Sequence, residues 1–187
     1  MRHVSLFLLG IIISLGVNAQ KRLTADSEKT KLEWLGEKVT GEHKGTINLK
    51  SGWIAWDNNK IAGGEFLIDM ASLRDEKDNQ KLEGHLKSAD FFSVEKFPES
   101  KLVITESTPF EKGTATVKGQ LTIKDITNPI EFKAAVQQKD DGLWFYSNID
   151  IDRTKYDIRY GSGSFFDNLG DKTIYDDFKL KVAINVR

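Results

Sequence analysis

At 187 residues, with 27 Lys and Arg against 28 Asp and Glu, the chain is long enough for one domain with a closed core and carries a formal charge of only −1. That balance removes the electrostatic reason to expect nucleic acid, because polyanion binding rests on a surplus of basic side chains. The absence of cysteine removes disulfides, thiol nucleophiles, cysteine-held metals and sulfur-linked acylation together.

The chain opens with a basic residue, Arg2, followed by an uncharged run of 14 residues from Val4 to Val17. Such a run is too short to cross a bilayer comfortably. Val17-Asn18-Ala19 then places small residues where a signal peptidase cuts, which predicts a secretory signal over 1–19, cleavage before Gln20 and a single domain over 20–187. The expected location is the periplasm or the exterior, with no stable membrane insertion once the signal is removed.

Past that point, two-residue alternation predicts strands at 31–38, 44–50, 53–56 and 61–70. Over 75–100 the period changes. Leu82, Leu86 and Ala89 share one helical stripe, Asp78 or Asn79 can cap its start, and Ser88 or Asp90 can cap a second short turn carrying Phe91 and Phe92. Pro98 disfavours helical geometry at Phe97 and returns the chain to a strand at 101–106. Further strands follow at 114–124, 130–136, 143–152 and 178–187, the last two joined by a connection rich in glycine and aromatics. Connections of more than about 12–15 residues without structure are uncommon and tend to be lids or sites.

Eight or so strands with hairpin-length links define an all-β chain, and closure into a single antiparallel up-and-down β-barrel is how such a chain removes its exposed edges. One or two short helices and the long loop then fall near the barrel mouth. At about eight strands the interior is either filled by its own side chains or holds one slender ligand. The dry strand faces point Trp34, Phe66, Ile68, Leu121, Ile123, Phe132, Phe145, Ile149, Phe178, Leu180 and Val182 inward. Leu86, Phe91, Phe92, Phe97, Tyr160, Phe165 and Phe166 lie in the two irregular segments, as a lid over the mouth or as plugs that complete the core.

Three groups of residues carry a resemblance to a known family: His85-Leu86-Lys87-Ser88-Ala89-Asp90-Phe91-Phe92 with Glu95-Lys96-Phe97-Pro98; Gly119-Gln120-Leu121-Thr122-Ile123-Lys124 with Thr127-Asn128-Pro129-Ile130; and Asp152-Arg153-Thr154-Lys155-Tyr156. The chain resembles the YceI-like proteins, also described as polyisoprenoid-binding. The resemblance implies an exported, cysteine-poor, lipocalin-like barrel that holds a long-chain isoprenoid or related amphipathic lipid, with no catalytic residues assigned; no cofactor or metal is expected. It departs from the family pattern at Lys38, where the strand carrying Leu32, Trp34 and Gly36 commonly ends in histidine.

Catalytic constellations are not visible. His43 and His85 lack a second histidine at helix-facing spacing for a zinc pair, and Gly161-Ser162-Gly163-Ser164 is not the G-x-S-x-G of a nucleophile turn. Asp167, Asp171, Asp176 and Asp177 lack the regular spacing of a calcium loop. Three functions of different class stay open: a lipid carrier whose lumen is formed by the inward residues above, a filled barrel acting as a stress-related interaction protein, and an enzyme on a lipid-like substrate. Whether two barrels pair as a homodimer is open too.

Overall fold

The computed structural model describes residues 20–187; the signal expected over 1–19 lies outside them. Nine strands and one helix are formed: β1 (Lys21–Thr24), β2 (Lys31–Lys38), β3 (Gly41–Asp57), β4 (Lys60–Asp75), α1 (Gln80–Lys87), β5 (Glu99–Ser107), β6 (Thr114–Ile123), β7 (Ile126–Lys139), β8 (Gly142–Asp152) and β9 (Ile174–Val186). From β2 to β9 each strand pairs antiparallel with the next, and β9 pairs back with β2. The result is a closed eight-stranded up-and-down barrel with one extra strand.

Local chemistry sets the reversals. Asn58 and Asn59 (φ 44° and 62°) make the two-residue turn between β3 and β4, and Lys124 and Asp125 (φ 52° and 59°) make the one between β6 and β7. Paired left-handed residues give the turn whose twist matches two antiparallel strands, and asparagine adopts that conformation more readily than most residues. Alternation then fixes the register. Trp34 faces Leu180, Leu32 faces Val182, Val117 faces Phe132 and Leu102 faces both Phe66 and Leu121, so apolar side chains meet on the inner surface all the way around.

Three expectations change. The two strands expected at 44–50 and 53–56 are one long strand, β3, whose pairing with β4 slips between Leu49 and Ser51. Such slips bend a strand without ending it. Gly52 follows the slip, where a Cβ would overlap the Phe66 ring. Second, β1 was not expected. It runs beside the far half of β3, in line with β2, and Thr24 exchanges two backbone hydrogen bonds with Arg187 at the end of β9. The β1 and β2 segments thus fill one strand position, interrupted by the excursion between them. Third, among the described residues the expected helical stripe is shorter than its three residues imply, and one α-helix forms. Asn79 caps it by accepting from the Leu82 N–H, it ends at Lys87 before Ala89, and the chain from Ser88 makes turns that reverse at Ser93 (φ 49°).

The barrel has unlike ends. At one, Trp56, Phe110 and Phe145 pack with ring centroids 5.5–5.6 Å apart, and Phe110 is tied to the β3–β4 turn by two hydrogen bonds with Asn59. This end is shut. At the other gather the β2–β3 turn, α1 and the turns after it, the β6–β7 turn, and the 153–173 connection, which contains two short 3-10 turns. A buried cluster including Ile54, Val117 and Val186 fills the space next to the shut end.

Ile54 is 1% exposed, so Ile54→Ala is expected to cost about 2–5 kcal/mol, while Lys118→Ala, at an exposed ion pair with Glu106, is expected to stay within about 0.5 kcal/mol. Urea unfolding midpoints of the two variants check this; equal losses would show that the inner and outer faces are exchanged.

Candidate functional site

The inner face encloses two apolar spaces stacked along the barrel. The upper one, of about 280 Å³, lies beneath the mouth, and the lower one, of about 90 Å³, lies toward the shut end. Trp34, Ile123 and Phe178 line the upper space, and Phe66, Phe132, Phe145, Ile149 and Val182 line the lower. Ile68, Leu121 and Leu180 border both, together with Ile151. All eleven residues read as inward from alternation therefore face one or both spaces.

Trp34 shows how the wall is built. Its indole N–H donates to the Arg74 carbonyl at 3.1 Å, across the strand that separates them. Gly45, opposite Trp34 on β3, leaves the necessary room: a Cβ there would overlap both the Arg74 carbonyl and the Trp34 ring. The pairing of β2 with β9 is irregular near the mouth. Their register jumps from Gly36 facing Phe178 to Lys38 facing Ile174, so Glu37 stands opposite a bulge carrying Tyr175 and Asp177, and a Cβ on Gly36 would meet nothing within 4 Å.

The irregular segments divide. Leu86, Phe91, Phe92 and Tyr160 reach the upper space. His85 stands edge-on between Phe91 (5.1 Å) and Tyr160 (4.6 Å), which links α1 to the long connection across the mouth. Phe91 is only 5% exposed and belongs to the core as well as to the roof. Phe97, Phe165 and Phe166 do not line either space. The reversal at Ser93 turns Val94 inward and leaves Phe97 half-buried under the Lys96 ammonium, while Phe165 and Phe166 project from a turn whose N–H groups donate to the Ser162 carbonyl.

Arg153 is the polar residue on which the roof hangs, a role that its motif alone does not reveal. It is 3% exposed and donates to the carbonyls of Ile158 (2.8 Å), Ile174 (3.0 Å) and Tyr175 (3.1 Å), with Asp176 at 3.5 Å. Burial lowers the guanidinium pKa, and the charges of Asp176 and Asp152 oppose that shift. Burial also works against the charge on Asp176, yet the hydroxyls of Ser162 and Ser164 together with Arg153 hold its carboxyl below the usual value. Nearby Tyr156 is pushed up to about 12, chiefly by burial and further by Asp152. This charged cluster spends its donors on the chain itself. Its chemistry is that of an anchor for the 153–173 connection, not of an acid or base aimed into the cavity.

The remaining polar lining comprises Glu37, Lys38, His43, His85, Tyr160, Tyr175 and Asp177, with Ser100, which is buried. His43 lies 3.8 Å from Asp75 and His85 lies 3.8 Å from Asp90. Among the described residues no group of three or more His, Cys, Asp or Glu is placed to hold a metal, and no helix is long and apolar enough to cross a membrane. Sequence reasoning missed Ile47, Met70, Leu73, Leu82, Ser100, Ile151 and Ile174 as residues lining the upper space. Met70 is the last residue of an expected strand and Leu82 lies on the expected helical stripe, so a signal for both was present. Ile174 lies before the expected start of the last strand.

Comparison with known proteins places this geometry. A family model described as YceI-like domain matches residues 23–186. A UPF0312 protein of Pseudomonas putida strain W619 is 31% identical over 100 residues, which is 54% of this chain and 52% of that protein. The chain thus spans about half the length of the curated relatives it matches. Among solved structures, Burkholderia cenocepacia BcnA superposes with a TM-score of 0.72 at 20% identity, covering 87% of this chain and 99% of that one. A Saccharophagus degradans domain described as polyisoprenoid-binding superposes with a TM-score of 0.65 at 12% identity, covering 88% and 97%. These two likenesses share the fold.

Removing the Arg153 anchor strands three carbonyls and a carboxylate. Arg153→Ala is expected to cost about 3–5 kcal/mol and to raise hydrogen exchange over 158–175; Arg153→Lys regains only part, because an ammonium lacks the planar fork. Acid dependence carries a sign. Asp176 has a lowered folded pKa, so its contribution to stability is complete above its ordinary value of 3.8 and fades as pH falls through the lower folded value. The stability gap between the protein and Asp176→Asn is therefore expected to be constant near neutrality and to shrink below about pH 4 in denaturant titrations; a gap that widens there would contradict the assignment.

Proposed function

The chain belongs to the YceI-like domain family, and we propose from that premise that it binds a long-chain isoprenoid or similar amphipathic lipid inside its barrel, for storage or transport and without catalysis. The observation that carries this reading is the upper apolar space, about 280 Å³, set in a closed barrel and roofed by Leu86, Phe92 and Tyr160. A saturated or polyisoprenoid chain fits such a lining because it needs no hydrogen bonds, and each methylene taken from water contributes about 0.8 kcal/mol before ordering costs. The polyisoprenoid-binding description of the Saccharophagus degradans domain, which shares the fold, supports the same ligand class.

A filled barrel without ligand fits less well, since an apolar space of this size loses dispersion contacts on every side that a ligand would restore. Export belongs to the proposal too. The Arg2, Val4–Val17 and Val17-Asn18-Ala19 pattern supports processing before Gln20 and residence in the periplasm or outside the cell. Intact mass of the exported protein tests it: residues 1–19 still attached would defeat it.

Organic extraction of protein purified from its native host, followed by mass spectrometry, is expected to release an isoprenoid or long-chain amphiphile. Leu180→Asp is expected to abolish that yield, because a carboxylate in an apolar lumen is far costlier than a charge lost at the surface, while Lys181→Ala on the opposite face leaves it unchanged. Phe91→Ala is expected to cost about 3–5 kcal/mol as a core truncation. Phe92→Ala, at a half-buried position over the cavity, is expected to cost less and to speed release of a fluorescent prenol. Extracts with no lipid, together with no uptake of the prenol by unaltered protein, would overturn the reading.

A further inference from the structure

Phe165 and Phe166 are 46% and 51% exposed, in a connection that is otherwise firmly built. Gly161 accepts from the Ile174 N–H at 2.8 Å, and Ser162 is fully buried beneath the turn that carries the two rings. They are held outward by structure. The other large apolar side chains that stand exposed among the described residues are Val39, Ile126, Tyr160 and Tyr175. All six lie at the mouth end of the barrel and none at the shut end.

Backbone and side-chain links make this a connected collar. The Val39 N–H donates to the Thr173 carbonyl, and Lys124, beside Ile126, donates to the Asp157 carbonyl. Tyr160 and Tyr175 are exposed and also line the upper cavity, so the collar and the lumen share side chains. Arg159 lies over the Phe165 ring at 4.7 Å, with its charge paired to Asp157.

We propose that this collar docks reversibly on a phospholipid bilayer surface, with Phe165 and Phe166 as its principal inserting side chains. Contiguous exposed apolar surface marks an interaction site. Three observations select a bilayer over a protein. The opening of an apolar cavity lies inside the collar, so seating it on a bilayer lets an apolar chain pass without crossing water. Tyrosine, phenylalanine and basic side chains are the mixture that settles at the boundary of headgroups and hydrocarbon. Charges in the collar segments are of both signs, Lys124, Lys155, Arg159 and Lys172 with Asp125, Asp157, Asp167 and Asp171, which gives no single-signed field for a charged protein face and suits a zwitterionic surface. The purpose of docking rests on the lipid-binding reading above, but its test does not.

The experiment is flotation of the purified protein with phosphatidylcholine vesicles, and with vesicles containing a minority of phosphatidylglycerol. Binding to both is expected, with partition of Phe165→Ser/Phe166→Ser weakened at least roughly tenfold. The double variant is expected to keep the unfolding midpoint and the uptake of a fluorescent prenol from solution. The proposal is overturned if unaltered protein stays unbound with both vesicle types, or if the double variant floats equally well. It is also overturned if sedimentation without vesicles shows a dimer that the double variant abolishes, since the collar is then a protein interface. Vesicle binding without prenol uptake would support docking while removing the lipid-binding reading.

Discussion

Everything in this protein depends on the pairing of β2 with β9. Without it the eight strands would form an open sheet with two raw edges and a single dry face, and that face would have to be covered by something else. With it, the dry face becomes an inside. The register that brings Trp34 to Leu180 and Leu32 to Val182 is the same register that puts apolar side chains around the lumen. Closure and cavity are one event, and the slip at Glu37 shows that closure is least regular beside the mouth.

The two ends of the barrel solve different problems. At the shut end, three aromatic rings and a hydrogen-bonded turn stop the lumen with side chains alone. At the mouth, a roof must be supported without filling what lies beneath it. The connection over 153–173 does this through a buried guanidinium that gathers carbonyls from both ends of the loop. Burying Arg153 is costly in isolation, and the cost is offset only because three carbonyls and Asp176 surround it. The gain is a fixed loop whose apolar rings can be directed away from the core.

Strand faces were legible in the sequence because a two-residue period has only two sides, and a chain that closes leaves no doubt which is dry. Trp34, Phe132 and Leu180 could be placed on that basis alone. Isolated features were not. Strand β1 is four residues long and shows too little alternation to register. Phe110 lies in a loop between strands, where nothing local says that it swings under the barrel against Trp56. Arg153 could be quoted as part of a motif, but a buried charge looks in sequence like any exposed one until Ile174 and Tyr175, 21 and 22 residues away, are brought to it. Phe165 and Phe166 were legible as apolar and as irregular; their direction depends on Ser162 and Ile174, which only the fold brings together.

The aromatic floor has a consequence for any guest of varying length. Phe145 borders the lower space and is backed by Trp56 and Phe110, so the lumen is a well of fixed depth and not a tunnel. Burial grows with each added unit of a linear guest only until its tip meets that floor. Past that point, further units protrude through the mouth and gain nothing from the barrel. Affinity plotted against chain length then rises and flattens, and the bend in the curve measures the well from the inside.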